Sequence, residues 1–223
     1  MKSIKRLLKG IGTLIGIFLL YVIIVIAHGT ITDFQGEASL SLDPLNDQSG
    51  VPLIDSTFSV LIWNVGYAGL GKETAFFFDQ GKMLHAGDTP TRTPKEFVEK
   101  NALGTKELIK EVDADFFLLQ EVDVHSKRSY YINAYEEIAS VLPEHSAYFG
   151  VNYKVKRVPI PILQPFSVYG QVNSGLATYS KYAVKSAERF QLPGSFDWPN
   201  NVFQLDRCML VQRIDAFDKE LVL

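Results

Sequence analysis

The chain reads as an α/β sandwich with mixed sheets behind one N-terminal apolar helix, and three observations lead there. Residues 11–27 form an apolar run without a charge. Two greasy runs, FSVLIWNV (58–65) and DFFLLQEV (115–122), bracket a segment of helical period, the order expected of a parallel strand pair and its crossover. After a second helical segment come only short strand-like runs separated by turn residues, which adds antiparallel strands to the sheets.

The first element is the apolar helix. MKSIKRLLKG carries Lys2, Lys5, Arg6 and Lys9, and no further Lys or Arg follows until Lys72, whereas Asp33, Glu37, Asp43, Asp47 and Asp55 do. As a helix the uncharged run 11–27 spans about 25 Å, enough to cross most of a bilayer core. The asymmetry predicts a cytoplasmic basic tail (1–10), a transmembrane helix or signal anchor (11–27) and an extracytoplasmic domain, so the lipid bilayer is the first partner. Val25-Ile26-Ala27 also has the small-residue character of a weak cleavage site, which leaves a secreted form open.

Residues 28–56 are polar, acidic and turn-rich and read as a linker; the domain is expected over 57–223. FSVLIWNV is expected as a strand buried on both faces, and residues 66–95 as a long loop with an aromatic knot, AFFFDQ. In 96–112, Phe97, Leu103, Leu108, Ile109 and Val112 are expected on one helical face. DFFLLQEV is the second buried strand, and 129–142 a helix with the stripe Ile132, Tyr135, Ile138 and Val141. Strands follow in SAYFGVNYKV, GLATYSK, AVKSAERFQL and RCMLVQRID, the last paired with KELVL across the AFD turn. The prolines of VPIPILQPF (158–166) exclude a central strand there.

Composition narrows the chemistry. With 223 residues, 47% of them hydrophobic, the chain suits one domain and an accessory segment. A net charge of −3 offers no broad basic footprint for nucleic acid, so an anionic substrate needs local cations or a metal. The single Cys208, in the run CMLV, excludes an internal disulfide framework and reads as a core thiol.

The residues that carry chemistry sit where the two greasy strands end. An acid after a buried strand often marks only the chain's return to water. Here Asn64 ends one strand and Glu121 its expected neighbour, at the rim where open α/β sheets place ligands. A carboxylate beside an amide suits a hard cation such as Mg²⁺ (or Mn²⁺), which takes oxygen ligands and keeps its waters. Asp123 and His125 alternate with Glu121, so a continuing strand would place all three on one face. His85 and His145 have no partners at ligand spacing.

WNV, LQEVD, NSGLATYSK and a late DRCMLVQRI, in that order, resemble the endonuclease/exonuclease/phosphatase superfamily over roughly residues 57–223. The resemblance implies half of a four-layered α/β sandwich and metal-dependent hydrolysis of a phosphate ester in a nucleic acid, a phospholipid or an inositol phosphate. It makes Glu121 the metal ligand, with Asn64 orienting metal waters or phosphate, and gives Arg207 a phosphate contact. Asn173, before the small residues Ser174 and Gly175, stands where backbone can approach a ligand. Asn152 and Lys154 in VNYKVK, and Arg128 in SKRS, are further candidates for substrate binding.

The superfamily's second half carries an Asn-x-His-Leu-type strand, a Gly-Asp-x-Asn motif and a terminal Asp-His pair, and this sequence contains neither of the last two. The expectation is therefore an N-terminal half that is weakly active or inactive without a C-terminal half. Two rivals stand beside it. GYAGLGKE (66–73) matches a phosphate-cradling G-x-x-x-x-G-K loop through Lys72, but Glu73 follows where Ser or Thr would hold Mg²⁺. The other rival is a membrane-tethered, non-catalytic binding domain.

Overall fold

A computed structural model describes residues 2–46, 51–53, 57–74, 76, 81, 83–87, 90–194, 196–216 and 219–223. The expected AFFFDQ knot lies almost wholly outside the described residues, as does Asp55. In chain order the elements are α1 (Lys2–Ile31), β1 (Ser39–Ser41), β2 (Val60–Asn64), α2 (Lys95–Val112), β3 (Phe116–Asp123), α3 (Ala134–Ala139), β4 (Ser146–Val158), β5 (Gly170–Ser180), β6 (Val184–Gln191), β7 (Cys208–Ala216) and β8 (Lys219–Val222), with short 3₁₀ turns at Gly66–Ala68 and Asn201–Phe203. The mixed α/β class and the leading apolar helix are as the sequence predicts. Within the segment expected to be linker, residues 39–41 form β1.

Two four-stranded sheets pack face to face. One has the order β2-β3-β5-β4, with β2 parallel to β3 and the other pairs antiparallel; the second, β1-β6-β7-β8, is antiparallel throughout. Helices α2 and α3 cover the outer face of the first sheet through Ile109, Phe117, Leu119, Val122, Tyr135, Ile138 and Tyr179. Between the sheets, Phe116 meets Leu53 and Ile214. β3 is the hub: Phe116 and Phe117 are fully buried on opposite faces, as an interior strand requires.

β2 departs from expectation. It lies at the sheet's edge, with Val60 39% and Ile62 67% exposed, because the second sheet packs through β6 and β7 over β4 and β5 at the other end of the strand order. Between β3 and β5 of the first sheet and β7 and β8 of the second lies an apolar cleft of about 450 Å³, lined by Leu118, Leu176, Met209, Leu210, Val222 and Leu223 among others.

The helices also shift. α2 buries Val98, Ala102 and Ile109, leaving the expected Leu103, Leu108 and Val112 exposed. α2 packs instead against α3 and the Gly66–Ala68 turn, and Lys106 reaches Glu137 of α3 at 2.8 Å. α3 is only six residues long, not the helix over 129–142 that the stripe predicts. The cause lies upstream: the buried Asp123 carboxylate accepts hydrogen bonds from Arg128 Nε (3.1 Å), Arg128 Nη2 (2.8 Å) and the Ser129 hydroxyl (2.7 Å). These contacts hold the backbone in turns, with Tyr130 and Tyr131 left-handed, until Asn133 caps α3 by accepting from the Glu136 N–H.

A β-bulge in β3 sets the site. Pairing with β5 shifts register between Leu119 and Val122, and Glu121 takes a left-handed φ of 55°. In a regular strand Glu121 would share the face of Phe117 and Leu119 and enter the helix-side core. The bulge gives that place to Val122 and releases the carboxylate, so the alternation of Glu121, Asp123 and His125 expected from a continuing strand does not form.

Two stability outcomes follow. Arg128→Met alone should cost about 3–5 kcal/mol in urea unfolding, because it strands a buried carboxylate. The double variant with Asp123→Asn should lose less than the sum of the two single losses; additive losses would show the pair to be uncoupled. At the bulge, Glu121→Gly should exceed Glu121→Ala in stability by about 1 kcal/mol, since only glycine adopts that φ freely; equal stabilities would deny the strain.

Candidate functional site

The rim where β2 and β3 end is built by local hydrogen bonds. Asn64 is paired with Gln120 in register and its Nδ2 donates to Glu121 Oε1 at 2.9 Å. Asn64 Oδ1 accepts from the Gly66 N–H at 2.9 Å, so the amide is held at both ends. Gly66, Tyr67 and Ala68 are all left-handed, which turns the chain sharply off β2; a side chain at Gly66 would also press on Leu70 at 3.0 Å. The Asn101 side chain donates to Ala68 O and Thr93 Oγ1 bonds Gly69 O, stitching this turn to α2 and its approach.

Beneath the turn lies a buried polar and aromatic layer. The Arg128 guanidinium stacks 3.7 Å from the centroid of the Tyr67 ring and 5.7 Å from that of Tyr153. The Tyr67 and Tyr169 hydroxyls lie 2.6 Å apart. Burial, then the neighbouring Tyr169, raises the Tyr67 pKa, and burial raises that of Tyr153, so both phenols stay protonated donors. For Arg128 burial works against the charge, but the adjacent Asp123 outweighs it and the pKa is raised.

Above this floor opens a pocket of about 250 Å³ whose walls include Asn64, Gln120, Glu121, Tyr67, Arg128, Asn152, Tyr153, Ser174, Gln204, Leu205 and Arg207. It gathers Asn64, Glu121, Asn152, Arg128 and Arg207 from four separate stretches of chain. Arg207 is exposed, and Asp215, an acid of the strand that follows it, pairs with Lys185 at 3.5 Å rather than with Arg207. The neighbouring Asp206 is pushed up to about 6 by burial, with Asp33 adding to the effect.

Other candidates stand elsewhere. Lys154 is not among the pocket residues; its ammonium lies 5.5 Å from the centroid of the Phe34 ring. Asn173 does not line the pocket either. Its backbone exchanges hydrogen bonds with Ser126 and so anchors the loop after β3. The small-residue approach at Gly175 serves β4, since a Cβ there would stand 2.3 Å from Gly150 O. Arg128 touches the pocket but turns its Nε and one Nη2 donor to Asp123. His125 is exposed and stacks on Tyr131, His145 is buried with Nε2 2.9 Å from Ala114 O, and His85 Nδ1 accepts from the Gly87 N–H. Gly66–Lys72 leads into no helix among the described residues, unlike a phosphate-cradling loop.

Sequence reasoning missed Tyr67, Tyr153, Ser174 and Gln204. Tyr67 carried a signal, standing directly after the strand-ending Asn-Val-Gly; the others become visible only when β4, β5 and the approach to β7 converge.

The donor set fits a hard cation in part. Glu121 supplies one carboxylate, and the surrounding groups are oxygens and amides rather than thiolates or imidazoles. Among the described residues no group of three or more His, Cys, Asp or Glu side chains gathers to hold an ion. A cation here would therefore keep several waters or borrow oxygens from its substrate.

Comparison with known proteins bears on the same stretch. Three solved structures are similar to parts of this chain. One is an endonuclease/exonuclease/phosphatase from Beutenbergia cavernae, with 18% identity, a TM-score of 0.45, and coverage of 74% of this chain and 36% of that one. A second is an endonuclease/exonuclease/phosphatase family protein from Leptotrichia buccalis, with 14% identity, TM-score 0.42, and coverage of 74% and 53%. The third, ANGEL2, described as a 2′,3′-cyclic phosphatase, shows 14% identity, TM-score 0.40, and coverage of 82% and 41%. This chain thus spans between about a third and a half of those proteins' lengths. No curated protein matches. The sequence pattern of the Endonuclease/Exonuclease/phosphatase family matches residues 61–207. That match takes in both strand ends that build the Asn64–Glu121 pair and runs on to Arg207 at the far wall, and the chain belongs to the endonuclease/exonuclease/phosphatase family.

Proposed function

We propose that the chain contributes the metal-binding wall of a divalent-metal-dependent phosphoester hydrolase, held at a membrane by α1 with its domain outside. The observation that carries this reading is the Asn64–Glu121 pair at 2.9 Å, on a strained bulge, facing a pocket shared with Arg207 and Asn152. Residues held at backbone cost cluster at functional sites, and here the strain has a chemical outcome, a carboxylate brought out of the core.

Glu121 would hold Mg²⁺ or Mn²⁺, which when bound supplies positive charge for the phosphoryl oxygens and a water of lowered pKa. Asn64 fixes the carboxylate's orientation through one hydrogen bond and is itself fixed by Gly66. Arg207 places a charged donor fork where a phosphate can be gripped, and the Tyr67 ring sits on the buried Arg128 as the pocket's floor. None of the four histidines lines the pocket, so this chain offers no imidazole to accept the water's proton. A second half, packing into the cleft between the sheets beside β3 and β8, is the natural source of that base and of further ligands. The open apolar cleft supports this arrangement. For α1, length and apolar composition support a spanning helix, and the basic tail before it supports a cytoplasmic N-terminus.

Titrating Mn²⁺ into the isotopically labelled chain should broaden resonances around Asn64 and Glu121 first. Glu121→Gln should abolish the selective broadening while leaving the rest of the spectrum in place; persistence of the same broadening would remove the site. In a Mg²⁺-dependent assay on bis-nitrophenyl phosphate, plasmid DNA and sphingomyelin, the 223-residue chain should run at least about 10²–10⁴-fold below a chain extended past Leu223 by a second half, the usual cost of losing general-base catalysis. Robust turnover by the short chain, abolished by Glu121→Gln, would show the second half to be dispensable.

A further inference from the structure

α1 does not simply lead into the domain; it packs on it. Tyr21, Val22, Val25, Ile26 and Gly29 form a less exposed stripe along an otherwise exposed helix, and its contacts are with β4 and the 3₁₀ turn Asn201–Phe203. The fit is close. A Cβ on Gly29 would stand 2.9 Å from Val202 and 3.0 Å from Phe203. At the next residue the exposed indole of Trp198 donates from Nε1 to Thr30 Oγ1 at 3.1 Å.

Length makes this packing consequential. If the uncharged run, about 25 Å long, crosses a hydrocarbon core of about 30 Å, then residues 21–27 lie inside it, to a depth of roughly 10 Å. A domain that keeps its contact with those residues cannot stand clear of the bilayer. The surface around the contact is suited to lipid. Trp198 is 63% and Phe196 46% exposed. Phe203 shares a cluster with Ile160, at the base of the loop between β4 and β5, and that loop raises Leu163 (61% exposed) and Phe166 (94% exposed) at its tip. Cations gather at the loop's base: Arg157 donates to Pro165 O, and burial followed by the fields of Arg92 and Arg157 lowers the Lys127 pKa. Aromatic tips over a basic base are the composition of interfacial membrane contacts.

We propose that this end of the domain docks on the lipid surface from which α1 emerges, with Phe166 and Leu163 inserted into the headgroup layer and Trp198 in the aromatic belt. The proposal rests on the reading of α1 as a membrane anchor and is independent of hydrolysis. Its test uses the full chain reconstituted in phosphatidylcholine/phosphatidylglycerol vesicles. Nitroxides are placed by cysteine substitution at Leu19, Phe166 and Glu107, with Cys208→Ala as background. Position 166 should resemble position 19, several-fold more accessible to oxygen than to a water-soluble nickel chelate, while position 107 on α2 shows the reverse. A second measurement avoids the cysteine background: brominated lipids should quench the unmodified chain markedly more than Trp198→Phe. If position 19 lies in lipid but position 166 matches position 107 and Trp198 is not quenched, the anchor stands and the docking is wrong. If position 19 is also aqueous, the anchor reading fails and the docking falls with it.

Discussion

The buried Asp123–Arg128 pair is the contact on which the site hangs. An isolated charge at either position would be prohibitive in so dry a layer, and each group answers the other with two hydrogen bonds in a planar fork. Everything above follows in sequence. The guanidinium supports the Tyr67 ring, Tyr67 holds the left-handed turn after β2, and that turn presents the Gly66 N–H to Asn64. Asn64 then steadies Glu121. A buried charge pair thereby sets the position of the Glu121 carboxylate at the rim.

The bulge at Glu121 meets a conflict that the strand alone cannot resolve. β3 must be apolar on both faces to serve as the hub of its sheet, yet it must deliver an acid to the rim. Inserting one residue changes which face the following residues occupy, so Val122 closes the core and Glu121 leaves it. The backbone cost of a left-handed glutamate is small beside that of burying a carboxylate among Phe117, Leu119 and Tyr179.

Much of this was legible in the sequence, and the limits are physical. Hydrophobic runs and helical periods locate the apolar helix, the parallel pair and the later strands, because those patterns answer to burial at short range. The strand ends Asn64 and Glu121 come together as the order of elements predicts. What stayed hidden depends on contacts across the sandwich. The exposure of Ile62 follows from which strands the second sheet places opposite it, and the shortness of α3 from a carboxylate several residues earlier. Asn173 looked like a ligand-facing turn because nothing local shows that its neighbour Gly175 is needed against Gly150.

The pairing of β1 with β6 sets a timetable. Ser39 lies opposite Phe190, so the second sheet cannot close until nearly all of the domain has been made. At a synthesis rate of about 5–20 residues per second, the intervening stretch takes about 8–30 s to appear. Throughout that interval α1, the first element to emerge, is ready to enter a bilayer, and β1 waits beside it unpaired. Its brevity and its sequence, Ser-Leu-Ser, are what an unprotected edge requires: three residues with two hydroxyls make a poor template for pairing with a stranger. The strand that must wait longest is the one least able to misassemble.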